Sequence, residues 1–227
     1  MNRTSTIDGR HESVHVSAGR VTLEGDLAIP DRAPGIVLFA HGSGSGRHSP
    51  RNQFVAGRLR DAGLGTLLID LLTEAEEAVD VRTAHLRFDI PLLADRLAGA
   101  IDWMARDPRT AGLPVGLFGA STGGGAALVA AARRPDRVAA VVSRGGRPDL
   151  AADDLPVVRC PVLLIVGGDD DVVIGLNDAA LRRLGSAVKE LRIVPGASHL
   201  FEEPGKLDEV ARLAAGWFTH YVHPPVM

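Results

Sequence analysis

Pro114-Val115-Gly116-Leu117-Phe118-Gly119-Ala120-Ser121-Thr122-Gly123-Gly124-Gly125-Ala126-Ala127-Leu128 is the stretch that decides how this chain is read. Residues 114–118 are apolar and uncharged, the pattern of a strand buried on both faces of a parallel sheet. Residues 123–134 are rich in alanine and meet Pro135, which ends a helix. Between them Gly119 and Gly123 flank Ser121 in the frame Gly-x-Ser-x-Gly. Glycines at those two places leave room for a sharp strand-to-helix turn that exposes the serine hydroxyl. Strand, turn and helix in this order predict a nucleophile elbow at the carboxyl edge of a sheet and imply serine-based acyl transfer to water.

A serine hydroxyl is not ionised at neutral pH, so it needs a base in hydrogen-bond reach and a third group to orient that base. The apolar run 162–166 leads directly into Gly167-Gly168-Asp169-Asp170-Asp171, which puts a carboxylate at a strand's carboxyl end. Residues 191–194 form another strand pattern, followed by Pro195-Gly196-Ala197-Ser198-His199, so His199 is expected above the same edge. The chain order is Ser, Asp, His. Acyl transfer also needs donors for the carbonyl oxygen as it gains charge. One is the amide of Thr122, after the nucleophile. The other is expected from His41-Gly42-Ser43-Gly44-Ser45-Gly46, which follows the apolar run 35–40. The Ser43 amide is the first choice and Gly44 the alternative, with His41 bracing the loop rather than acting as base.

Other chemistries fit less well. Gly42-x-Gly44-x-Gly46 is not the dinucleotide frame Gly-x-Gly-x-x-Gly, and no Gly-Lys-Ser/Thr follows to hold a phosphate. His11 and His15 lie in an alternating segment, without a metalloprotease motif or paired cysteines, so no metal is expected. A net charge of -3 and a pI near 6.2 provide no basic footprint for nucleic acid. A single cysteine, Cys160, excludes an intrachain disulfide, and the polar start at residues 1–6 shows no signal core. Apolar runs are too short to span a bilayer. These features together predict a cytoplasmic protein without membrane association.

At 227 residues and 45% hydrophobic composition, the chain suits one α/β domain spanning residues 1–227. An opening hairpin is expected at 13–16 and 21–30, then strands at 36–39, 66–71, 115–118, 138–142, 162–166 and 191–194. Helices are expected at 50–62, 82–105, 123–134, 175–184 and 204–222, with 223–227 trailing from the last. The result is an eight-stranded, mostly parallel sheet with helices on both faces. Phe88, Trp103, Trp217 and Phe218 should pack their helices on the sheet, and Glu74, Glu76, Glu77 and Asp80 read as a solvated acidic loop. Residues 143–159 are too few for a cap domain, so the site should be open or roofed by loops. Arg47, His48, Arg144 and Arg147 fall near it; Arg47 and Arg144 are read as substrate-binding, through bidentate pairing with a carboxylate.

The elbow, the His41-Gly42 loop, the Gly167-Gly168-Asp-Asp turn and the Gly196-Ala197-Ser198-His199 turn resemble those of the α/β-hydrolase superfamily. Within that superfamily the chain resembles small dienelactone-hydrolase-like proteins without a large cap. In that frame Gly167-x-x-Asp170-x-x-Val173 resembles the acid turn, which selects Asp170, with Asp171 as fallback. Dienelactone hydrolase proper uses a cysteine nucleophile, whereas Ser121 stands here, so general ester or lactone hydrolysis is the implied activity. The resemblance implies a Ser121-His199-Asp170 triad, an acyl-enzyme, a small-molecule ester or lactone substrate and no cofactor. Acyl transfer to another acceptor, or perhydrolysis, would use the same site. A ligand-binding or signalling protein with little turnover is the alternative from another class, and homo-oligomerisation is left open.

Overall fold

The structure is a computed structural model, described here for residues 10–224; the readings of residues 1–6 and of the last three residues lie outside that range. Arg10–Ala18 (β1) and Val21–Ile29 (β2) pair as an antiparallel hairpin. Ile36–Ala40 (β3), Gly65–Ile69 (β4), Val115–Ala120 (β5), Val138–Arg144 (β6), Val162–Gly167 (β7) and Lys189–Val194 (β8) complete one sheet. Its order is β1-β2-β4-β3-β5-β6-β7-β8, antiparallel where β2 meets β1 and β4 and parallel elsewhere. The helices are Pro50–Asp61 (α1), Glu74–Thr83 (α2), Ile90–Met104 (α3), Thr122–Arg133 (α4), Asp171–Arg183 (α5) and Lys206–Tyr221 (α6).

The alternation of a strand's side chains builds two cores from one run of sequence. Ile36, Leu38 and Ala40 of β3 join Leu97 and Ile101 of α3 and Leu128 of α4 on one face. Val37 and Phe39 join Val55 and Leu59 of α1 and Val210 and Phe218 of α6 on the other. Each such side chain contributes about 1.5–3 kcal/mol when fully buried. All residues of β3, β4, β5 and β7 are buried, which is why these strands appear in the sequence as uninterrupted apolar runs. From β3 the chain crosses to β4 on one side and later returns to β5 on the other. The carboxyl ends of β3 and β5 therefore flank the point where strand order reverses, the usual place for a crevice in such sheets.

Three expectations change. The helix expected over 82–105 is two helices separated by a short 3-10 turn, Leu86–Phe88. Thr73 and Glu76 form a reciprocal capping box that starts α2 inside the expected acidic loop. Asp89 then accepts from the Leu92 amide and starts α3, with Pro91 in its first turn. Phe88 consequently sits on the turn, 55% exposed, instead of packing on the sheet. Asp80 is not solvated but fully buried, accepting from the Leu86 amide at 2.6 Å and from Arg87 Nε at 2.5 Å. Trp217 and Phe218 are buried as expected, and Trp103 packs partly buried on the core. Between β6 and β7 lie only two 3-10 turns, Pro148–Ala151 and Leu155–Val157.

Candidate active site

Ser121 directly follows β5 and occupies the N-cap position of α4 with φ 51° and ψ -122°, a conformation L-residues rarely adopt. Such strain costs on the order of 1–3 kcal/mol and persists only where neighbours fix it. Here the Ser121 amide donates to the Arg144 carbonyl at 3.2 Å, while the Ser121 carbonyl accepts from Gly124 at 2.9 Å and Arg147 at 3.0 Å. The flanking glycines are sterically required. A Cβ at Gly119 would lie 2.5 Å from the Gly123 carbonyl oxygen, and one at Gly123 would lie 2.3 Å from that of Ala40. Both clashes are with backbone, so Gly123→Ala should lower the urea midpoint by an amount equivalent to about 1–3 kcal/mol, with equilibrium denaturation as the check. An unchanged midpoint would contradict this account of the turn.

His199 faces the same cavity as Ser121, a space of about 190 Å3. Its Nδ1 is 2.6 Å from Asp170 Oδ2. Asp170 occupies the N-cap position of α5, yet its side chain makes no capping bond, being committed to the imidazole instead. Asp169 and Asp171 point into solvent. Gly145, at φ 50°, lies against the ring, where a Cβ would come within 3.4 Å of Nδ1. Glu203 accepts from the Ser198 amide at 3.1 Å and tethers the histidine loop. Gly145 and Glu203 carry no motif, so the sequence did not single them out.

His41 explains the glycine loop. Its Nε2 accepts from the Leu71 amide at 2.9 Å, which leaves Nδ1 to donate to the Gly42 carbonyl, also at 2.9 Å. Burial holds this imidazole below the ordinary histidine pKa, against the upward pull of the Gly42 carbonyl. The Gly42 carbonyl also accepts from the Ser45 amide at 3.2 Å. Because the peptide is planar and trans, fixing that carbonyl turns the Ser43 N–H the opposite way. Ser43 lines the cavity with Ser121, and a Cβ on Gly42 would lie 3.1 Å from the Ser121 Cβ, so the loop abuts the nucleophile turn. Thr122 opens α4, so its amide is one of the donors a helix start leaves unpaired.

The arginines separate. Arg144 ends β6 and lines the cavity. Arg47 does not: it lies in a neighbouring cleft of about 1100 Å3, where its amide and guanidinium both donate to Asp70 and its Nε is 3.7 Å from Asp26. Arg47 is thus held in internal ion pairs in this structure, outside the lining of the Ser121 cavity. His48 lies 3.8 Å from Asp26 and Arg147 pairs with Asp149 at 2.7 Å. Arg51, Ser49 and Asn52, from the start of α1, do line the cavity. No sequence signal marked them, since only the fold brings that helix end to Ser121. Among the described residues no group of three or more His, Cys, Asp or Glu is placed to hold a metal.

An eight-stranded sheet in this order, with a serine on a strained strand-to-helix turn and a His–Asp pair facing it, defines an α/β-hydrolase fold. The model of the Dienelactone hydrolase family matches residues 23–219, and the chain belongs to that family. It is similar to a crystal structure of dienelactone hydrolase from Anabaena variabilis, with 62% identity and a TM-score of 0.93 over 95% of this chain and 99% of that one. Est1E from Butyrivibrio proteoclasticus shares the fold at a TM-score of 0.75 and 15% identity, over 92% of this chain and 98% of that one. Proteins provisionally named phosphoribosyl transferases in two Mycobacterium tuberculosis strains are 56% identical over 216 residues, which is 95% of this chain and 48% of theirs. The chain therefore spans about half the length of the curated relatives it matches.

Proposed function

We propose that this protein is a serine hydrolase that cleaves a carboxylic ester or lactone through Ser121, His199 and Asp170. The observation that carries this reading is the convergence of the strained Ser121 turn and the Asp170-bonded His199 on one cavity. His199 Nε2 takes the Ser121 proton as Oγ attacks the carbonyl carbon. The tetrahedral oxyanion accepts from the Ser43 and Thr122 amides, and collapse expels the alkoxide, which takes the proton from His199. Water, deprotonated by His199, then attacks the acyl-enzyme and releases the acid, returning the proton to Ser121. Asp170 keeps Nδ1 protonated and stabilises the imidazolium in both halves. The residues in these roles need no cofactor. Trapping Ser121 with a fluorophosphonate and locating the adduct by mass tests the reading; a folded, unlabelled protein would overturn it.

Acyl transfer to an alcohol or perhydrolysis would pass through the same acyl-enzyme, and competition between water and added nucleophiles separates them. The transferase name of the mycobacterial relatives belongs to proteins of which this chain matches under half, and the Ser121 site supports acyl rather than glycosyl chemistry. Among the described residues no helix is long and apolar enough to cross a membrane. We propose a cytoplasmic location on the sparse cysteine usage alone, since the chain has one cysteine, Cys160, and no intrachain disulfide to form.

His41 acts on this chemistry through the loop it holds. His41→Ala should lower kcat about 100-fold, the scale of a lost oxyanion donor, with a smaller change in KM. It should also remove a pH dependence of stability. A histidine held below its ordinary pKa contributes fully above about pH 6.5, and the contribution is lost as pH falls toward the lower folded value. Urea midpoints between pH 7.5 and 5 should therefore fall more in the wild type than in the variant. Equal falls would refute the neutral, buried imidazole.

A further inference from the structure

The wall of the Ser121 cavity is electrostatically one-sided. Among the described residues it contains Arg51 and Arg144 but no aspartate or glutamate. Arg144 is 7% exposed, and its Nε and Nη1 have no hydrogen-bond partner among the described residues. The Phe201 ring, 6.0 Å from its guanidinium carbon, gives only a cation–π contact. Burial and the neighbouring Arg51 push its pKa down to about 10, so it is still a cation at neutral pH. A buried cation without a counterion is costly to the fold. Arg51, on the same wall, also has a buried, unpartnered Nε.

These groups surround the positive end of α1. Ser49 caps that helix, accepting from the Asn52 amide at 3.4 Å, and Ser49, Arg51 and Asn52 all reach the cavity. Arg51 Nη1 donates to Glu202 at 2.9 Å, but that pair is solvent-exposed and therefore weak, so Arg51 can turn to a ligand. The larger cleft next door is mixed in sign: Glu24, Asp70, Glu74 and Glu77 line it together with Arg47, which pairs with Asp70, and with Arg51, which reaches both cavities. The serine side, with two arginines and no acid in its lining, is therefore the more favourable place for an anionic group.

We propose that this wall is an anion subsite, with Arg144 as its anchor, and that the substrate of the proposed ester hydrolysis carries a phosphate close to its scissile carbonyl. The identity of the substrate rests on the serine-hydrolase reading; the anion binding does not. Donors come from several directions: two guanidiniums and the hydroxyls of Ser43, Ser45 and Ser49. A planar carboxylate offers two oxygens and one charge to such a set. A phosphate monoester offers three terminal oxygens in a tetrahedral array and nearly two charges, which matches it better. With Ser121 on the same cavity of about 190 Å3, the phosphate and the ester must lie within a few bonds of each other.

The test uses inorganic phosphate and acetate as probes, at ionic strength matched with chloride, on Ser121→Ala and on Ser121→Ala/Arg144→Met. Phosphate should raise Tm and bind measurably to the first protein, acetate much less, and the second should bind phosphate about 10- to 100-fold more weakly. Arg144→Met should leave Tm in chloride unchanged or higher, because it removes an unpaired buried charge; a structural arginine would lower it. Arg144→Lys, which keeps the charge but not the fork, should retain part of the phosphate shift. In wild type, phosphate should slow fluorophosphonate labelling of Ser121. Acetate binding as well as phosphate would overturn the phosphate assignment. No phosphate binding, or binding undiminished by Arg144→Met, would overturn the subsite. Labelling without phosphate binding would leave the hydrolase standing and remove the subsite, whereas phosphate binding to an unlabelled protein would do the opposite.

Discussion

Ser121→Ala should reduce ester or lactone hydrolysis by about 10^4- to 10^6-fold, the scale seen when the nucleophile of a triad is removed, and should abolish fluorophosphonate labelling. Its fold should survive. Ser121 already holds φ at 51°, and alanine carries the same Cβ, so the substitution adds no backbone strain. The bonds that fix the turn are made by the Ser121 amide and carbonyl, which alanine retains. Tm should thus stay close to wild type, as for surface changes of under about 0.5 kcal/mol. Parallel measurement of turnover, adduct mass and thermal unfolding separates loss of chemistry from loss of structure. A folded Ser121→Ala protein with wild-type turnover would defeat the mechanism outright. Residual activity near the background rate would instead reflect the oxyanion donors and substrate binding that remain.

The parts of this molecule legible in the sequence are those whose environment is uniform along a segment. Residues 162–166 contain no charge because both faces of β7 are covered, and that alone identifies the strand. The elbow was legible for a different reason: only glycine fits where Gly119 and Gly123 meet backbone. Asp170 needed the resemblance, since three consecutive aspartates have equal local credentials and only the His199 contact distinguishes the middle one. Where the sequence misled, the deciding contact was short-range chemistry outweighed by pattern, or a partner far along the chain. The capping box at Thr73 and Glu76 is an example of the first, hidden in a run of acids that looked solvated. The ion pairs of Arg47, invisible in the sequence, depend on the second. Its partners Asp26 and Asp70 lie on or beside strands that become neighbours only when the sheet forms. Arg144 is subtler: β6 continues past its apolar run to residue 144, and that extension places the arginine beside Ser121 through the pairing of Ala120 with Arg144.

Asp170→Asn should lower kcat by about 10^4-fold, with little change in KM and a folded product. The carboxylate accepts from Nδ1 and so leaves Nε2 unprotonated, on a ring that lines the same cavity as Ser121. An asparagine can present its amide N–H to Nδ1 instead, which favours the tautomer with the proton on Nε2 and leaves no base where one is needed. It also withdraws the negative charge that stabilises the imidazolium. The neighbouring acid is an internal control of the same residue type. Asp171 is exposed in the first turn of α5, where its carboxylate contributes to the helix N-terminus on the order of 0.3–1 kcal/mol. Asp171→Asn should therefore cost a little stability and almost no turnover. Steady-state kinetics on the two variants, with Tm measured alongside, makes the comparison direct. Loss of turnover in Asp171→Asn with retention in Asp170→Asn would transfer the orienting role one residue along and would require the acid turn to rearrange by a register when substrate binds. Equal retention in both would show that neither carboxylate orients His199 and would remove Asp170 from the mechanism, while labelling would still report on Ser121 itself.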